Sequence, residues 1–461
     1  IIKTYDKGFY EIKENGLKVL HLAGTGYERG YQYGIMLKDE IEESIKTGTT
    51  LFATYIGDGD YDLGLKRLFR GKEVMEPYIP KEFMDEMKGM ADALKEAGSD
   101  ITYDDIIMWN TINDSKMLHK GPRSIEEDLP AGKLLAYPDR GGCMSVAAFN
   151  DATTDGSMIV GKNMDWYCSP GMRKNPIILV VKPTDGGYGY LAPVYPGWFA
   201  CIEGVNEKGI TTGMQISKSD YETMRGAGWH ALTALILKYS DSLDDAINIL
   251  TVYPKPCGNI FQVNDGKVNN AVVIETTANA LAVRYPVKDK NVLWTTNHFN
   301  CYPGWDGYDG SVNMPAQQEK FYKLDLTSGQ SFYNSVPMWT KGRYDRTREL
   351  LNENYGKISV EKMVEFVSDR YCMIRKENVG WDVLDGACIA DVWANDRVIA
   401  KDVQYFKSDY KGDVLYTGGN IWSLVMSPKT GDVEIAMAGS VPAQKEGFKH
   451  INLFEELARM D

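Results

Sequence analysis

The stretch GGCMSVAAFNDATTDGSMIVGKNMDW, residues 141–166, sets a cysteine directly after two glycines and follows it with a run of small and apolar residues through Phe149. NDATTDG then clusters turn formers, and SMIVGKN resumes the apolar pattern. The spacing predicts a β-hairpin that starts at Cys143 and returns Asp165 toward the start of its first strand. A cysteine heading a strand after two bare glycines raises the question of whether the chain is cut there.

The chemistry of such a cut is simple. A thiol ordinarily has a pKa of about 8.5, and a free α-amine one of about 7.7–8.0. Cleavage between Gly142 and Cys143 would place nucleophile and base in one residue, with no need of a catalytic histidine. Asp165 would hold or orient the new amine. Taken singly, Cys143 reads as a small buried thiol, and Asp165 reads equally as a turn cap; the combined 141–166 pattern reverses the reading of Cys143.

Acyl transfer also needs donors around a developing oxyanion. TTNHFN puts Asn297 at the end of an apolar strand, and TTGMQIS puts Gln215 within another. Arg343, in KGRYDRTRE, brings a planar fork suited to a carboxylate or to fixing a polar network, and otherwise reads as a solvated helix charge. Lys162 reads as a surface residue or as a site for a substrate anion. Trp166, with Tyr167, Tyr195, Trp198 and Trp229, lines an acyl pocket or fills a core.

Competing chemistries leave weaker marks. His298, beside Asn297, would serve a Cys-His pair without any cleavage, or would be a hydrogen-bonded structural histidine. His21, His119, His230 and His450 show no ligand spacing, so neither metal nor cofactor is expected. GDGDYDLG alternates Asp58, Asp60 and Asp62, but its glycine falls one place late and no closing glutamate follows, so it reads as a solvated acidic loop.

Around the hairpin the chain changes character. Residues 1 to about 125 read mostly as helices after a short strand or two. Thr25 and Glu28 have capping-box spacing, and Gly26, Gly30 and Gly34 share a helix face suited to close packing. EFMDEMKGMADALKEAG is an amphipathic helix with a glycine stop, TYDDIIMWNTIND is a shorter helix, and KGPRSIEEDLPAGKLLAYPDRGG is an exposed connection ending before Cys143. Beyond it, strands are predicted in IILVVKP, WFACIEGV, ITTGMQI, NIFQV, AVVIETT, ALAVRYP, NVLWTTN, IWSLVMS and VEIAMAG, with helices near 229–239, 243–250, 342–350 and 360–368. Clustered strands and helices without a βαβ repeat imply a layered α+β fold.

Bulk properties set limits. With 461 residues, 43% hydrophobic and 25% charged, the chain supports one large or two ordinary domains. A net charge of −13 argues against a general nucleic-acid binder. No apolar run is long enough for a membrane span. The chain starts Ile1-Ile2, so removal of a signal and a secreted or extracytoplasmic location is one expectation, and a cytoplasmic location the other. Seven cysteines without a CxxC pair fit one thiol plus up to three disulfides, or seven thiols, and the single Asn-x-Ser site at Asn113 does not decide between them.

Together these residues resemble the N-terminal nucleophile (Ntn) hydrolase superfamily, in the group of choloylglycine hydrolase, penicillin V acylase and acyl-CoA:6-aminopenicillanate acyltransferase. The resemblance is closer to the autoprocessing acyltransferase and hydrolase branch, peptidase family C45. HLAGTGYERGYQYG looks like that branch's leader pattern, and GGCMSVAAF and GKNMDW look like its nucleophile and following motif. The resemblance implies a four-layer αββα sandwich. It also implies self-cleavage at Gly142–Cys143 into a largely helical propeptide or alpha-chain region, 1–142, and a core, 143–461, that stay associated. Cys143 would be the nucleophile, Asp165 its support, Asn297 the oxyanion asparagine and Arg343 the later active-site arginine.

Lys162 stands where the smaller acylases commonly have arginine, and Gln215 where they often have asparagine, which weakens transfer of bile-salt or penicillin specificity. With Trp166 these two are the oxyanion or substrate-binding candidates. The implied activity is hydrolysis of a linear amide in a small N-acyl, peptide-like or lipid-like substrate through an acyl-Cys143. The alternatives are an N-acyltransferase using a thioester or amide donor, a phospholipase-B-like lipid acyl hydrolase, and a silent acyl-ligand-binding homologue. Homo-oligomerisation is left open.

Overall fold

The computed structural model describes residues 1–57, 60–115, 143–168, 175–199, 202–217, 223–278, 280–301, 338–373, 376–378, 417–439 and 442–461. Three strands open the chain, β1 (Lys3–Tyr5), β2 (Gly8–Ile12) and β3 (Lys18–Gly24), where one or two were expected. Five helices follow: α1 (Gly26–Met36), α2 (Lys38–Ile56), α3 (Tyr61–Met75), α4 (Lys81–Glu96) and α5 (Tyr103–Ser115). The capping box forms at Thr25, whose hydroxyl accepts from Glu28 N while Thr25 N donates to Glu28 Oε2 at 2.7 Å. Asp60 caps α3 by accepting from Leu63 N at 3.0 Å, and its neighbour Asp58 lies outside the described residues, as does the connection 120–142.

The glycine face of α1 lies directly on α4. A Cβ on Gly30 would stand 1.7 Å from the Glu86 carbonyl oxygen, so the two backbones touch where the sequence placed glycines every fourth residue.

After Cys143 the strands are β4 (Cys143–Asn150), β5 (Gly156–Cys168), β6 (Ile177–Pro183), β7 (Tyr190–Val194), β8 (Glu203–Asn206) and β9 (Ile210–Ile216). Helices α6 (Trp229–Tyr239) and α7 (Leu243–Val252) lead to β10 (Asn259–Asp265), β11 (Asn270–Thr276), β12 (Leu281–Arg284) and β13 (Val292–Thr295). Then come α8 (Met338–Glu353), α9 (Val360–Val367), the short pair β14 (Tyr371–Cys372) and β15 (Glu377–Asn378), β16 (Thr417–Ser427) and β17 (Asp432–Met437). The chain closes with α10 (Ala443–Glu446), β18 (Lys449–Asn452) and α11 (Leu453–Ala458). The expected strand in WFACIEGV starts only at Glu203, and β7, which contains Pro193, was not foreseen.

Two large sheets result. One runs β1-β2-β3-β6-β7-β8-β9-β10-β11-β12 and the other β13-β4-β5-β16-β17-β18. Their described ladders are antiparallel except β3 with β6, where Val19 to Gly24 run parallel to Ile178 to Pro183. The six-stranded sheet turns Met144, Val146, Ala148 and Ile159 toward Tyr344, Leu351, Met363 and Phe366 of α8 and α9. Its other face meets the ten-stranded sheet, whose far side carries α6 and α7. The architecture is the expected αββα sandwich with a largely helical N-terminal region, although β1 to β3 make that region part of the sheet as well.

Buried charges tie these segments together. Arg29 donates to Glu86 at 3.0 Å, to Asp185 at 3.1 Å and to Gly24 O at 2.6 Å, and Asp185 is also paired with Lys238 at 3.0 Å. At the other end, Glu11, His21 and Glu456 come within 4.8 Å of one another, a grouping that spacing did not reveal. Lys13 and Arg459 pair with its carboxylates, which makes it an ion-pair cluster. Asn113 is buried in α5 against His230 Nε2 at 2.9 Å, which removes the one Asn-x-Ser site from the surface of this fold. No described helix is long and apolar enough to cross a membrane.

Candidate active site around Cys143

The hairpin β4/β5 sets the site. Its register pairs Cys143 with Met164 and Ser145 with Lys162. Strand alternation turns these four side chains toward the ten-stranded sheet, while Asn163 points to the helices and donates to Val367 O at 2.9 Å. The thiol is buried, 3.8 Å from Asp165 O and 3.9 Å from Met164 Sδ. Burial pushes its pKa up, Lys162 opposes this, and Asp165 and Glu203 add to it.

Both backbone polar groups of Cys143 are held by expected residues. Its N–H donates to Asn297 Oδ1 at 2.7 Å, and its carbonyl accepts from Arg343 Nη1 at 2.7 Å. Arg343 Nη2 closes the triangle on Asn297 Oδ1 at 3.0 Å. The elements explain the meeting: β13 pairs with β4, so the chain leaving Thr295 delivers Asn297 beside Cys143. Thr340 and Arg343 lie one turn apart on α8, and Thr340 Oγ1 accepts the Asn297 N–H at 2.8 Å. The Asn297 amide nitrogen spans to Ile216 O at 2.8 Å in the other sheet. Arg343 is fully buried, which settles its placement against a solvated helix charge.

Asp165 is also buried, and Asn420 on β16 donates to its Oδ1 at 2.9 Å. Asn420 was not anticipated; it sits where β16 breaks register against β5, between Asn420 and Trp422. Lys162, read as a surface residue or an anion site, instead points inward, donating to Met214 O at 2.9 Å with Glu203 at 3.7 Å. Glu203 also takes the Trp422 Nε1 hydrogen bond, and burial raises its pKa in spite of Lys162. The one sequence signal for Glu203 was an acid interrupting the apolar run WFACIEGV.

Gln215 is brought between the sheets, against Ser145. With its amide turned to match its neighbours, it accepts from Lys162 at 3.2 Å and donates to Ile260 O at 3.1 Å. Trp166 lies in an aromatic row with Phe52 and Trp229, at ring separations of 6.0 and 5.5 Å, and Tyr195 and Trp198 continue the buried cluster. His298 has Thr340 Oγ1 on Nδ1 at 3.0 Å and Asn300 Nδ2 on Nε2 at 3.1 Å, a hydrogen-bonded histidine. Cys143, Cys257, Cys301 and Cys372 are buried. Gly142, the expected scissile residue, and the side chains of Tyr167, Cys168, Cys201 and Cys388 lie outside the described residues, as does His119.

The model of the acyl-coenzyme A:6-aminopenicillanic acid acyl-transferase family matches residues 152–381, just under half of the chain. The match takes in Lys162, Asp165, Gln215, Asn297 and Arg343 but starts after Cys143. An uncharacterized protein of Archaeoglobus fulgidus is 28% identical over 80% of this chain and 60% of its own length. The chain thus spans about three fifths of the curated relatives it matches. A Caenorhabditis elegans N-acylethanolamine-hydrolyzing acid amidase ortholog aligns at 14% identity and TM-score 0.35 over 62% of this chain and 93% of its own. Penicillin V acylase from Agrobacterium tumefaciens aligns at 11% identity and TM-score 0.32 over 64% and 83%. At the level of superfamily and fold, the chain is homologous to the acyltransferase and acylase branch of the Ntn hydrolases.

Proposed function

We propose that the chain is a cysteine Ntn hydrolase that cuts its own Gly142–Cys143 bond and then cleaves a linear amide through an acyl-Cys143 intermediate. General amidase and acyltransferase chemistry is that of the branch to which it is related. The observation carrying the finer reading is the grip of Asn297 and Arg343 on the amide and carbonyl of Cys143, at the head of a strand buried from Cys143 to Phe149.

In self-cleavage the thiol adds to the Gly142 carbonyl carbon, the Cys143 nitrogen leaves with a proton, and water hydrolyses the resulting thioester to a Gly142 carboxylate and a free thiol. In turnover the freed α-amine takes the thiol proton as sulfur adds to the substrate's acyl carbon. Asn297 stabilises the oxyanion, and the departing amine takes the proton. Water then releases the acid. Asp165 and Arg343 orient the terminal residue, and Lys162 with Gln215 and Trp166 shapes the acyl side. The substrate class is a small N-acyl amide, peptide-like or lipid-like. The fragments 1–142 and 143–461 would stay joined by the β3/β6 ladder and by the pairs Arg29–Asp185 and Glu82–Lys238.

Intact-protein mass spectrometry of wild type and Cys143→Ala tests this. Two wild-type fragments meeting at 142/143, an uncut variant and an acyl adduct on Cys143 are expected; an uncut wild type refutes the processing step. The matched family is named for acyl transfer, which favours N-acyl transfer as a second reading. Added amine acceptor would then give amide product faster than free acid.

A further inference from the structure

The hydrogen bonds behind Asn297 form a chain whose direction is fixed from one end. Arg284 and Glu275 are a buried pair at 3.2 Å, and Glu275 also accepts the N–H groups of Asn300 at 3.0 Å and Cys301 at 3.2 Å. Arg284 Nη2 donates to Trp294 O at 2.7 Å and to Asn300 Oδ1 at 3.2 Å. A guanidinium has no acceptor, so the oxygen of the Asn300 amide must face it, and the NH2 end must face His298 Nε2 at 3.1 Å. That NH2 only donates. His298 Nε2 is therefore an acceptor, and the ring proton sits on Nδ1.

The rest follows. His298 Nδ1–H donates to Thr340 Oγ1 at 3.0 Å, and the same oxygen accepts Asn297 N–H at 2.8 Å. With both lone pairs taken, the Thr340 hydroxyl donates to Thr296 Oγ1 at 3.0 Å, which donates to Thr340 O at 3.1 Å. Thr296 Oγ1 also lies 3.3 Å from His298 Nδ1. One polarity satisfies the whole set, assigned here from donors and acceptors.

We propose that His298 is a positioning residue, set as the Nδ1–H tautomer by Arg284 and Asn300, which locks Thr340 and through it the backbone of Asn297 beside Cys143. The kinetic consequence rests on the reading of Asn297 as the oxyanion donor; the tautomer does not.

Two measurements on the full chain separate these. In protein labelled with 15N-histidine, long-range proton–nitrogen correlation reports which ring nitrogen carries hydrogen, and the His298 signals are those lost in His298→Asn. The expected result is Nδ1–H in wild type and a proton on Nε2 in Asn300→Asp, where an acceptor replaces the NH2. An Nε2–H wild-type ring, or a tautomer unmoved in Asn300→Asp, overturns the proposal. The second measurement uses the p-nitroanilide of a medium-chain fatty acid as probe. His298→Gln, with no donor at the Nδ1 position, should lower kcat about tenfold or more with KM unchanged. His298→Asn, whose amide nitrogen stands where Nδ1 was, should restore kcat to within about threefold of wild type. Equal kcat in wild type and His298→Gln overturns the positioning role. Absence of wild-type turnover together with the Nδ1–H tautomer would instead count against the hydrolase reading and leave the tautomer lock standing.

Discussion

Arg29→Met should expose how strongly the first segment is bound to the rest of the fold. Arg29 and Glu86 are each about 1% exposed, so the substitution leaves a buried carboxylate without its hydrogen-bonded cation. Removing one member of a buried ion pair costs about 3–5 kcal/mol. Loss of the donor to Gly24 O adds about 1 kcal/mol. Asp185 keeps Lys238 and contributes little to the loss. A total near 5 kcal/mol, at a urea m-value of about 3 kcal/mol/M, lowers the midpoint by roughly 1.7 M.

The pH dependence gives this its signature. Burial already pushes Glu86 above the usual carboxylate range even with Arg29 beside it, and removing the cation pushes it further. A carboxyl group whose folded pKa exceeds its unfolded one binds more protons when folded, so stability falls as pH rises through that interval. The gap between variant and wild type should therefore be widest near pH 8 and narrow toward pH 5. Adding Glu86→Gln should recover much of the loss at pH 8. A midpoint shift below about 0.3 M at pH 8, or a gap that widens on acidification, would refute the reasoning.

Gly30→Ala drives a methyl into the Glu86 carbonyl and must part α1 from α4, at a cost of about 3 kcal/mol or more; an unchanged melting temperature would contradict the contact. Glu456 is buried, yet His21 and Lys13 hold its pKa down to about 2, so the stability it confers is present above its unfolded value of 4.5 and lost as pH falls to about 2. Urea midpoints of Glu456→Gln should accordingly vary less than wild type across that window. Lys162→Met removes the cation that opposes the upward shift of the Cys143 pKa, so the rate of Cys143 alkylation by iodoacetamide, followed by mass, should move to higher pH; an unmoved profile would place Lys162 outside the thiol's field.

What the sequence disclosed was mostly local. Alternation and turn residues defined the β4/β5 hairpin, and helical periodicity placed α6 over the residues it occupies. Thr25 and Glu28 named their own cap because a capping box is complete within four residues. The site was legible as a set of residue types, since Cys143, Asn297 and Arg343 each stand at the end or on one face of a readable element. Their partners were not. Lys162 meets Glu203 across the two sheets, and Asn420 reaches Asp165 over 255 residues of chain, so no spacing rule links them. His298 advertised its chemistry, but its role turns on Asn300 and on Arg284, which reaches Asn300 only once β12 and β13 are folded.

The parallel β3/β6 ladder also bears on handling the molecule in pieces. β6 carries IILVV, buried along its length, and in the assembled sheet β3 covers one of its two edges. A chain beginning at Cys143 and made without residues 1–142 would leave that apolar strand with bare N–H and C=O groups along an open side. Such an edge is a template for pairing with another copy. The first segment is thus a built-in guard against aggregation, and production of the core alone should yield precipitate unless the missing strand is supplied in trans while the sheet is still forming.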